Sequence, residues 1–446
     1  MHIHFIAIGG AAMHNLALAL HGLGNSVTGS DDEIKEPSLS RLAAAGILPS
    51  ATGWYPEKLE TRPDAVILGM HARADNPELL KAKELGLKIY SFPEYFYEHA
   101  KNKTRIVIGG SHGKTSITAM IMHVLRDSGV DFDYMVGSSV AGFDTMVRLS
   151  NSADLMVLEG DEYLASPIDR RPKFHLYKPD IAVLSGIAWD HINVFPTFDN
   201  YVEQFRIFAD MLPSGGSLIY YKNDPELNKI AAHLAEGINK IPYSVPDSKT
   251  VNGITSVIYD SMHFPLNIFG DHNLANLNAA MLVCEQAGIE RKQFLTSIGS
   301  FTGAARRLET IKRTDDLIVI RDFAHSPSKL RATVDAVKKQ YPDWHLVACM
   351  ELHTFSSLSE NFLDQYSGTM DLADVPLVYF NPETLIHKKL KSLDPYEVKN
   401  AFNNSAVSVI NNPEILHKTL TDSKLPKTVF LMMSSGTFDG LDLSLL

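Results

Sequence analysis

Cysteine is nearly absent from this chain. Its 446 residues include only Cys284 and Cys349, which lie far apart and without CxxC spacing. Two isolated thiols exclude a disulfide framework and a thiolate metal centre. We expect both to be buried thiols of a cytoplasmic protein.

A basic charge balance and a long apolar run are missing too. Lys and Arg number 41 against 52 Asp and Glu, a net charge of −11, so nucleic-acid binding is not expected. No apolar stretch approaches the ~20 residues that span a bilayer, and the opening MHIHFIAIGGAAMH lacks the basic region of a signal peptide. We therefore expect a soluble, cytoplasmic protein without membrane insertion.

What the chain does have is apolar mass and a regular alternation of elements. Hydrophobic residues make up 45% of it, and 446 residues correspond to about three domains. Short β-branched runs alternate with helical segments, as in parallel α/β sheets. The predicted strands are HIHFIAI, DAVILGM, RIVIGG, LMVLEG, IAVLSGI, SLIYY, LIVIRDFA, HLVACMEL and TVFLMM.

The predicted domains are 1–102, 103–312 and 313–446. The first is a small Rossmann-type unit, because HIHFIAI runs into Gly9-Gly10, a helix and the strand SVTGSD, which ends in Asp31. The second begins with RIVIGG and a glycine loop, and the third with LIVIRDFA. Neither junction has a long Gly/Ser linker, so we expect short hinges.

A glycine loop carries the strongest chemical signal. Gly109-Gly110-Ser111-His112-Gly113-Lys114-Thr115-Ser116 leaves a predicted strand and opens a helix. Backbone N–H groups of such a loop wrap phosphates, the lysine reaches their oxygens, and the Thr115 hydroxyl can bind Mg²⁺. The spacing from Gly109 is one residue shorter than G-x-x-x-x-G-K-[ST], which makes it a variant P-loop. The alternative is an incidental glycine turn, which the strand-to-helix context disfavours.

Acidic and imidazole groups follow two further strands of the second domain. They are Glu159-Gly160-Asp161-Glu162-Tyr163 and Asp190-His191. In a parallel sheet these groups meet at the carboxyl edge, where a carboxylate and an imidazole can hold a divalent cation. Taken alone, Asp190-His191 is more often a helix N-cap followed by a surface histidine, and only the P-loop upstream favours a metal site.

Weaker signals lie in three more segments. Asp271-His272-Asn273 with Asn276 opens a helix, and either caps it or contacts a nucleotide base or ribose. Arg306 and the stretch from Asp322 to Pro327 lie at predicted strand or linker ends, where a crevice between domains would form.

The N-terminal loop suggests a second nucleotide-type ligand. Gly9-Gly10 precedes a helix that can receive a diphosphate, with Ser30-Asp31 reaching a ribose or base. A dinucleotide cofactor is the rival, but Ala7, Gly9 and Ala12 occupy the spacing that would need three glycines. Two such loops favour an enzyme that joins a nucleotide-linked substrate to an acceptor at the expense of ATP.

The ordered set of motifs resembles the Mur ligases, the ATP-dependent amide ligases of peptidoglycan synthesis and recycling. The family's G-T-H-G-K-T appears as Gly110 to Thr115 and its E-A-D-E as Glu159 to Glu162. Its D-H pair appears as Asp190-His191, its H-N-x-x-N as His272 to Asn276, and its D-Y/F-A-H-x-P as Asp322 to Pro327.

The resemblance implies three α/β domains: a Rossmann-like N-terminal domain that binds a UDP-sugar, a central P-loop ATPase domain with a mostly parallel sheet, and a Rossmann-like C-terminal domain that closes over ATP and binds the amino acceptor. It implies small-molecule partners, with Mg²⁺ or alternatively Mn²⁺, in a monomer or homodimer.

The resemblance also implies four groups of site residues. The catalytic group is Lys114, Glu159, His191 and His325, and the metal ligands are Thr115, Glu159 and His191. ATP would contact Gly110, Ser111, His112, Gly113, Lys114, Thr115, Ser116, His272, Asn273, Asn276, Arg306 and Asp322. The UDP-sugar would contact Gly9, Gly10, Ser30, Asp31 and His71, and the acceptor His353, Thr354 and Ser356.

Closer features are similar to one branch of the family. Phe205 stands where several Mur ligases have a carbamylated lysine, as in the branch that acts directly on UDP-N-acetylmuramate. Members of that branch add either L-alanine or the recycled tripeptide L-alanyl-γ-D-glutamyl-meso-diaminopimelate. Glu162-Tyr163, Pro93-Glu94-Tyr95 and the stretch 433–440 resemble the tripeptide-adding enzyme, which we expect this chain to be, with the L-alanine ligase as the alternative.

Several positions depart from the family pattern. Gly186 and Ala188 replace Asn and Glu before Asp190, and Arg321 and Ser326 replace Asp and His around Asp322. The segment 351–357 lacks the arginine of either acceptor motif. These departures leave open a catalytically weakened nucleotide-binding paralogue, a distant alternative, while the first glycine loop alone suggests a remote one, a nicotinamide-dependent oxidoreductase.

Overall fold

The computed structural model describes residues 1–189, 194–251, 253–303 and 307–446. The chain forms two compact units, one of Met1–Ser244 with Ala275–Ile298 and one of Val245–Leu274 with Gly299–Leu446. The three predicted domains are a finer division and stay a prediction. Within the described ranges, no helix is long and apolar enough to cross a membrane.

The first sheet of the first unit is a small parallel sheet in the order β2-β1-β3-β4. Its strands are β1 (His2–Ile6), β2 (Ser26–Ser30), β3 (Ala65–Leu68) and β4 (Ile89–Ser91), and its helices are α1 (Ala11–Gly22), α2 (Ser38–Ala44), α3 (Pro77–Glu84) and α4 (Phe92–Ala100). All pairings are parallel, which confirms the Rossmann-like character expected of this segment. Side chains on the two faces of β1 are buried under helices, as the apolar run HIHFIAI requires.

The second sheet of this unit has the order β11-β10-β9-β5-β8-β6-β7. Its strands are β5 (Thr104–Gly109), β6 (Phe132–Met135), β7 (Val147–Arg148), β8 (Leu155–Glu159), β9 (Ile181–Leu184), β10 (Ser217–Tyr221) and β11 (Asn239–Tyr243). Only the short β7 runs antiparallel. The helices are α5 (Lys114–Asp127), α6 (Lys173–Tyr177), α7 (Phe198–Asp210) and α8 (Pro225–His233). Because β5 lies between β8 and β9, the loops after these three strands open at one edge.

The second unit contains two sheets. An antiparallel sheet consists of β12 (Ser248–Val251), β13 (Ile254–Tyr259) and β14 (Met262–Leu266). Helices α9 (Asp271–Gln286) and α10 (Arg291–Ile298) follow it, and most of α9 and all of α10 belong to the first unit.

The larger sheet of the second unit has the order β15-β16-β20-β17-β18-β19, and only β15 is antiparallel. Its strands are β15 (Glu309–Arg313), β16 (Leu317–Asp322), β17 (His345–Glu351), β18 (Val375–Tyr379), β19 (Ser408–Ile410) and β20 (Thr428–Met433). The helices are α11 (Pro327–Gln340), α12 (Glu360–Leu363), α13 (Pro382–His387), α14 (Pro395–Ala401) and α15 (Pro413–Asp422). All ten predicted strands, SVTGSD included, are present, so the α/β fold with mostly parallel sheets is confirmed.

Candidate active site

The glycine loop between β5 and α5 is shaped by two glycines with positive φ. Gly110 has φ 127° and Gly113 has φ 77°, a region that side chains other than glycine rarely adopt. A Cβ on Gly110 would overlap Ser185, and a Cβ on Gly113 would overlap the amide of Asn276. Gly113 precedes α5 without a side-chain cap, so the first N–H groups of the helix face the loop, as in an anion site.

Lys114 lies at the mouth of this loop in an ion pair. Its Nζ donates to the Gly110 carbonyl at 2.7 Å and to Glu162 Oε2 at 2.6 Å. Burial alone would lower the pKa of the Lys114 ammonium, but the charges of Glu162 and Asp161 outweigh burial and raise it. The lysine is therefore a fixed cation beside the loop.

Thr115 and Glu159 form a second polar pair in the same place. The Thr115 hydroxyl donates to Glu159 Oε1 at 2.8 Å, and the Gly137 N–H donates to Oε2 at 2.7 Å. Burial raises the pKa of Glu159 despite these hydrogen bonds. A hydroxyl and a carboxylate are hard oxygen donors, so the pair fits Mg²⁺, which takes one or two carboxylates and completes its shell with phosphate and water.

The third predicted metal ligand, His191, and its neighbour Asp190 lie outside the described residues, as does Arg306. Among the residues that are described, no three His, Cys, Asp or Glu side chains form a cluster that would hold a metal by themselves. Of the three predicted metal ligands, Thr115 and Glu159 are therefore the two that the structure describes.

Asp161 adds a second carboxylate to this edge of the sheet. Lys173 Nζ donates to its Oδ2 at 2.5 Å. Burial of Asp161 opposes ionisation, but the charges of Lys173 and Lys114 outweigh burial and lower its pKa to about 2. Asp161 is therefore ionised and fixes the segment that carries Glu159 and Glu162.

A hydroxyl chain that the sequence did not predict supports Glu162. The Tyr201 hydroxyl, from α7, donates to Glu162 Oε1 at 3.0 Å and lies 2.9 Å from the Ser111 hydroxyl. Ser111 Oγ in turn accepts from the Ala188 N–H at 2.9 Å. Tyr201 comes four residues before Phe205, on the same face of α7, and both rings are fully buried. The spacing places Tyr201 on the buried face of α7, but no local pattern links that face to Glu162.

Two substituted positions of the family pattern lie beside this loop. The Gly186 carbonyl accepts from the Ser111 N–H at 2.9 Å, and Ala188 contacts Ser111 through its own N–H. Asp224 holds the peptide between them, because its Oδ2 accepts from the Ile187 N–H at 2.6 Å. The backbone of this segment thus supports the glycine loop without the side chains that are missing.

The N-terminal loop brings four of its five predicted residues together. Asp31 Oδ2 accepts from the Gly9 N–H at 2.7 Å, and burial raises the pKa of the Asp31 carboxyl. Gly10 precedes α1 without a side-chain cap. Ser30 accepts from Lys58 Nζ at 3.0 Å, which places a cation here that the sequence did not predict.

His71, the fifth predicted residue of that group, is exposed in a turn three residues after β3. Because β3 pairs in parallel with β1, this turn and the Gly9 loop leave the same edge of the sheet. The imidazole is accessible to a ligand at that edge.

The predicted nucleotide residues of α9 fall in different units. Asn276 packs against Gly113 of the glycine loop, within the first unit. His272 and Asn273 belong to the second unit. Asn273 Nδ2 donates to the Phe269 carbonyl at 3.0 Å, and burial lowers the pKa of His272 although Asp322 opposes it.

Asp322 and His325 shape the turn after β16. Asp322 accepts from the N–H groups of Leu308 and Ala324, each at 2.7 Å. The His325 carbonyl accepts from the Tyr366 hydroxyl at 2.6 Å, and His325 Nδ1 lies 2.7 Å from the Phe323 carbonyl. Asp322 thus fixes the backbone of the turn that presents the His325 ring.

The substituted Arg321 and Ser326 flank that turn. Arg321 pairs with Glu309 on the antiparallel β15, at 2.8 Å. Ser326 precedes α11 without capping it through its side chain.

The three predicted acceptor residues lie in the loop after β17. His353 Nδ1 is 3.8 Å from Glu351 Oε1. Thr354 and Ser357 exchange hydrogen bonds, with the Thr354 N–H 3.0 Å from Ser357 Oγ and the Ser357 N–H 3.1 Å from Thr354 Oγ1. Ser356 is exposed on the turn between them.

Together, a strand–glycine loop–helix with a partly buried, ion-paired lysine and an acidic edge define a phosphate-binding α/β enzyme. Comparison with known proteins narrows the class. A model described as the Mur ligase middle domain matches residues 108–284, and one described as the Mur ligase family, catalytic domain, matches residues 2–104.

Full-length relatives agree with these domain models. The chain is 31% identical to a UDP-N-acetylmuramate–L-alanine ligase of Lacticaseibacillus casei, over 83% of this chain and 82% of the relative. The chain belongs to the Mur ligase family. It is therefore an ATP-dependent ligase of peptidoglycan synthesis that forms an amide bond between small-molecule substrates.

Solved structures of the family share the fold. A murein peptide ligase from Psychrobacter arcticus is 25% identical and matches with a TM-score of 0.64, covering 99% of this chain and 97% of that one. A UDP-N-acetylmuramate–alanine ligase from Thermotoga maritima matches with a TM-score of 0.71 at 21% identity, covering 99% and 97%.

Proposed function

We propose that this chain joins the lactyl carboxylate of UDP-N-acetylmuramate to the amine of L-alanyl-γ-D-glutamyl-meso-diaminopimelate, with ATP and Mg²⁺. The observation that carries the ATP chemistry is the partly buried Lys114 ammonium at the glycine loop, beside the Thr115–Glu159 pair. The choice of acceptor is supported by Glu162-Tyr163, by the stretch 433–440 and by the likeness to a murein peptide ligase.

In the proposed reaction, a lactyl carboxylate oxygen attacks the γ-phosphorus of ATP and the bond to the bridging oxygen of ADP breaks. The acyl phosphate that results is attacked by the acceptor amine. The tetrahedral adduct loses a proton and expels phosphate, which leaves an amide, ADP and phosphate. Phosphoryl transfer depends on position and charge, so the chain needs no covalent nucleophile for it.

Lys114 supplies the positive charge that would bind the phosphate oxygens of ATP in this reaction. In the structure its ammonium contacts Glu162 and the Gly110 carbonyl, so the cation is already held at the phosphate end of the loop. Phosphate oxygens of ATP would compete with Glu162 for it, while Tyr201 and Ser111 keep the carboxylate in place. The N–H groups at the start of α5 would bind the same phosphates.

Thr115 and Glu159 would hold Mg²⁺, with His191 as the proposed third ligand. When bound there, the ion would neutralise charge on the phosphates and align them with the carboxylate. Gly137 donates to the far oxygen of Glu159 and so fixes the carboxylate plane before the metal arrives. Asp161 stays with Lys173 and does not compete for the ion.

The UDP-sugar would bind at the first sheet. The N–H groups at the start of α1 suit a diphosphate, and Lys58 beside Ser30 adds a cation to them. Asp31, which is anchored to Gly9, would present its carboxylate to a ribose or base, and His71 lies at the same edge. Asn276, which packs against Gly113, would contact the same ATP. The family resemblance also implies ATP contacts for His272, Asn273, Arg306 and Asp322, and a catalytic role for His325.

A second acceptor has its own support. Curated relatives at 28 to 31% identity are named UDP-N-acetylmuramate–L-alanine ligases. L-Alanine in place of the tripeptide would leave the ATP chemistry unchanged, because both present a free α-amine.

Phosphate release separates the two acceptors. Purified protein receives ATP, Mg²⁺ and UDP-N-acetylmuramate, with L-alanine in one reaction and the tripeptide in another. We expect release with the tripeptide. Phosphate release with L-alanine alone would make L-alanine the acceptor in place of the tripeptide. No release in either reaction would favour the catalytically weakened paralogue.

Lys114→Ala supplies the control for the site. It removes the cation, and we expect a loss of at least about a hundredfold in rate. Lys229→Ala, which removes an exposed lysine of α8, should keep the wild-type rate. Equal rates for all three proteins would contradict the assignment of the glycine loop.

A further inference from the structure

The loops that follow the central strands of the six-stranded sheet form a compact edge. The strands β20, β17 and β18 are parallel neighbours, and their last residues are Met433, Glu351 and Tyr379. Because parallel strands end on the same side, the following loops lie next to one another. The Leu352 N–H donates to the Tyr379 carbonyl at 2.8 Å, which joins the loop after β17 to the last residue of β18.

Buried Glu351 holds this edge together. It accepts from the Ser434 hydroxyl, and its Oε2 accepts from the Phe438 N–H at 3.0 Å. The Tyr379 hydroxyl donates to Asp439, which lies next to Phe438 in the loop after β20. A Cβ on Gly436 would come within 2.9 Å of Glu351 Oε2 and of His353 Nδ1, so the loop after β20 packs tightly against that after β17. These contacts make the edge a preformed surface.

The loop 352–358, which we call the Phe355 loop, presents an aromatic ring to solvent. The reciprocal hydrogen bonds of Thr354 and Ser357 close a tight turn around Phe355. The Phe355 residue is 61% exposed, an unusual position for a ring of this size.

A lysine from the next loop covers that ring. Helix α13, capped by Asn381, ends at His387, and the chain continues as Lys388, Lys389, Leu390 and Lys391. Lys388 Nζ lies 4.4 Å from the centroid of the Phe355 ring, a cation–π contact. Within the described chain the ion pairs of this unit involve other lysines and arginines, so the charge of Lys388 is not neutralised by a carboxylate.

We propose that Phe355 and Lys388 form the subsite for the acidic distal end of the acceptor peptide, with Lys388 binding a carboxylate of its diaminopimelate residue. The inference rests on the proposed function and names a specificity determinant of it. The segment 351–357 has no arginine of its own, and Lys388 brings the missing cation from the neighbouring loop. The tripeptide has three free carboxylates and L-alanine has one, so a cation at the edge distinguishes the two acceptors.

The experiment measures KM for the tripeptide in wild type, Lys388→Met, Lys388→Arg and Lys418→Met. Lys418→Met removes an exposed lysine of α15 and is the matched control. We expect KM to rise about tenfold in Lys388→Met, as for the loss of one charge-assisted contact. Lys388→Arg and Lys418→Met should stay near wild type, and KM for ATP should not change.

A tripeptide amidated on both diaminopimelate carboxylates completes the test. We expect the KM of wild type for the amidated peptide to equal the KM of Lys388→Met for the natural tripeptide. The Lys388→Met substitution should not raise the KM for the amidated peptide further. If wild type uses the tripeptide and Lys388→Met leaves its KM unchanged, or raises KM equally for the amidated peptide, the subsite is wrong and the proposed function stands. If wild type uses L-alanine alone, both are wrong.

Discussion

Gly113→Ala tests whether the shape of the glycine loop depends on the contacts described above. Alanine at φ 77° costs about 1–2 kcal/mol of stability, because its Cβ crowds the following carbonyl. The new Cβ would also overlap the Asn276 amide, and forced overlaps in packed sites cost about 1–3 kcal/mol. We therefore expect Gly113→Ala to lower the free energy of unfolding by about 2–5 kcal/mol.

Gly129→Ala is the matched control at the other end of α5. Gly129 has φ 70°, and a Cβ there meets nothing within 4 Å. Gly129→Ala should therefore lose stability through the backbone conformation alone, without an overlap with a neighbouring side chain. The difference between the two variants, measured by urea unfolding followed by circular dichroism, isolates the contact with Asn276.

A double-mutant cycle with Asn276→Ala checks the same contact. Removing the amide should make Gly113→Ala less damaging, with a favourable coupling of about 1 kcal/mol or more. Equal losses for Gly113→Ala and Gly129→Ala, or a coupling of zero, would refute the account of this loop.

Two further predictions concern charge. Glu159→Gln removes the proposed metal carboxylate, so the Mg²⁺ concentration for half-maximal phosphate release should rise at least about tenfold, whereas an unchanged Mg²⁺ dependence would exclude Glu159 as a ligand. Asp133, fully buried with Lys103 Nζ at 2.5 Å and His99 Nε2 at 3.1 Å, has its pKa lowered because these hydrogen bonds outweigh burial. A lowered folded pKa stabilises the protein above the unfolded pKa of about 3.9 and ceases to do so as pH falls. Asp133→Asn should thus cost about 3 kcal/mol at pH 7 and less below pH ~4, read from urea midpoints at the two pH values, and a loss independent of pH would contradict this.

Local sequence pattern was sufficient for most strands of the parallel sheets, although the parallel strands β4, β6, β11, β18 and β19 were not predicted. Runs such as RIVIGG and TVFLMM are apolar throughout because both faces of their strands are buried, and a buried run of this length between turn residues predicts a strand. The antiparallel β12–β14 sheet was not predicted. Every residue of β12 is exposed, so it lacks the apolar pattern by which a strand is recognised.

The candidate site likewise contains residues that the sequence predicted and residues that it did not. Lys114, Thr115 and Glu159 were predicted because the strand, loop and helix order carries them in sequence. Tyr201 was not, because it reaches Glu162 across 39 residues and the contact depends on how α7 packs. Such long-range pairs follow from tertiary packing, which no local pattern records.

The proposed reaction requires that ATP phosphorylates the lactyl carboxylate of the UDP-sugar. Its most direct test uses UDP-N-acetylmuramate with ¹⁸O in that carboxylate, ATP, Mg²⁺ and the tripeptide, and follows the isotope into the released phosphate by mass spectrometry. Each phosphate formed by coupling should carry an ¹⁸O atom from the carboxylate. Amide product formed together with unlabelled phosphate would contradict it.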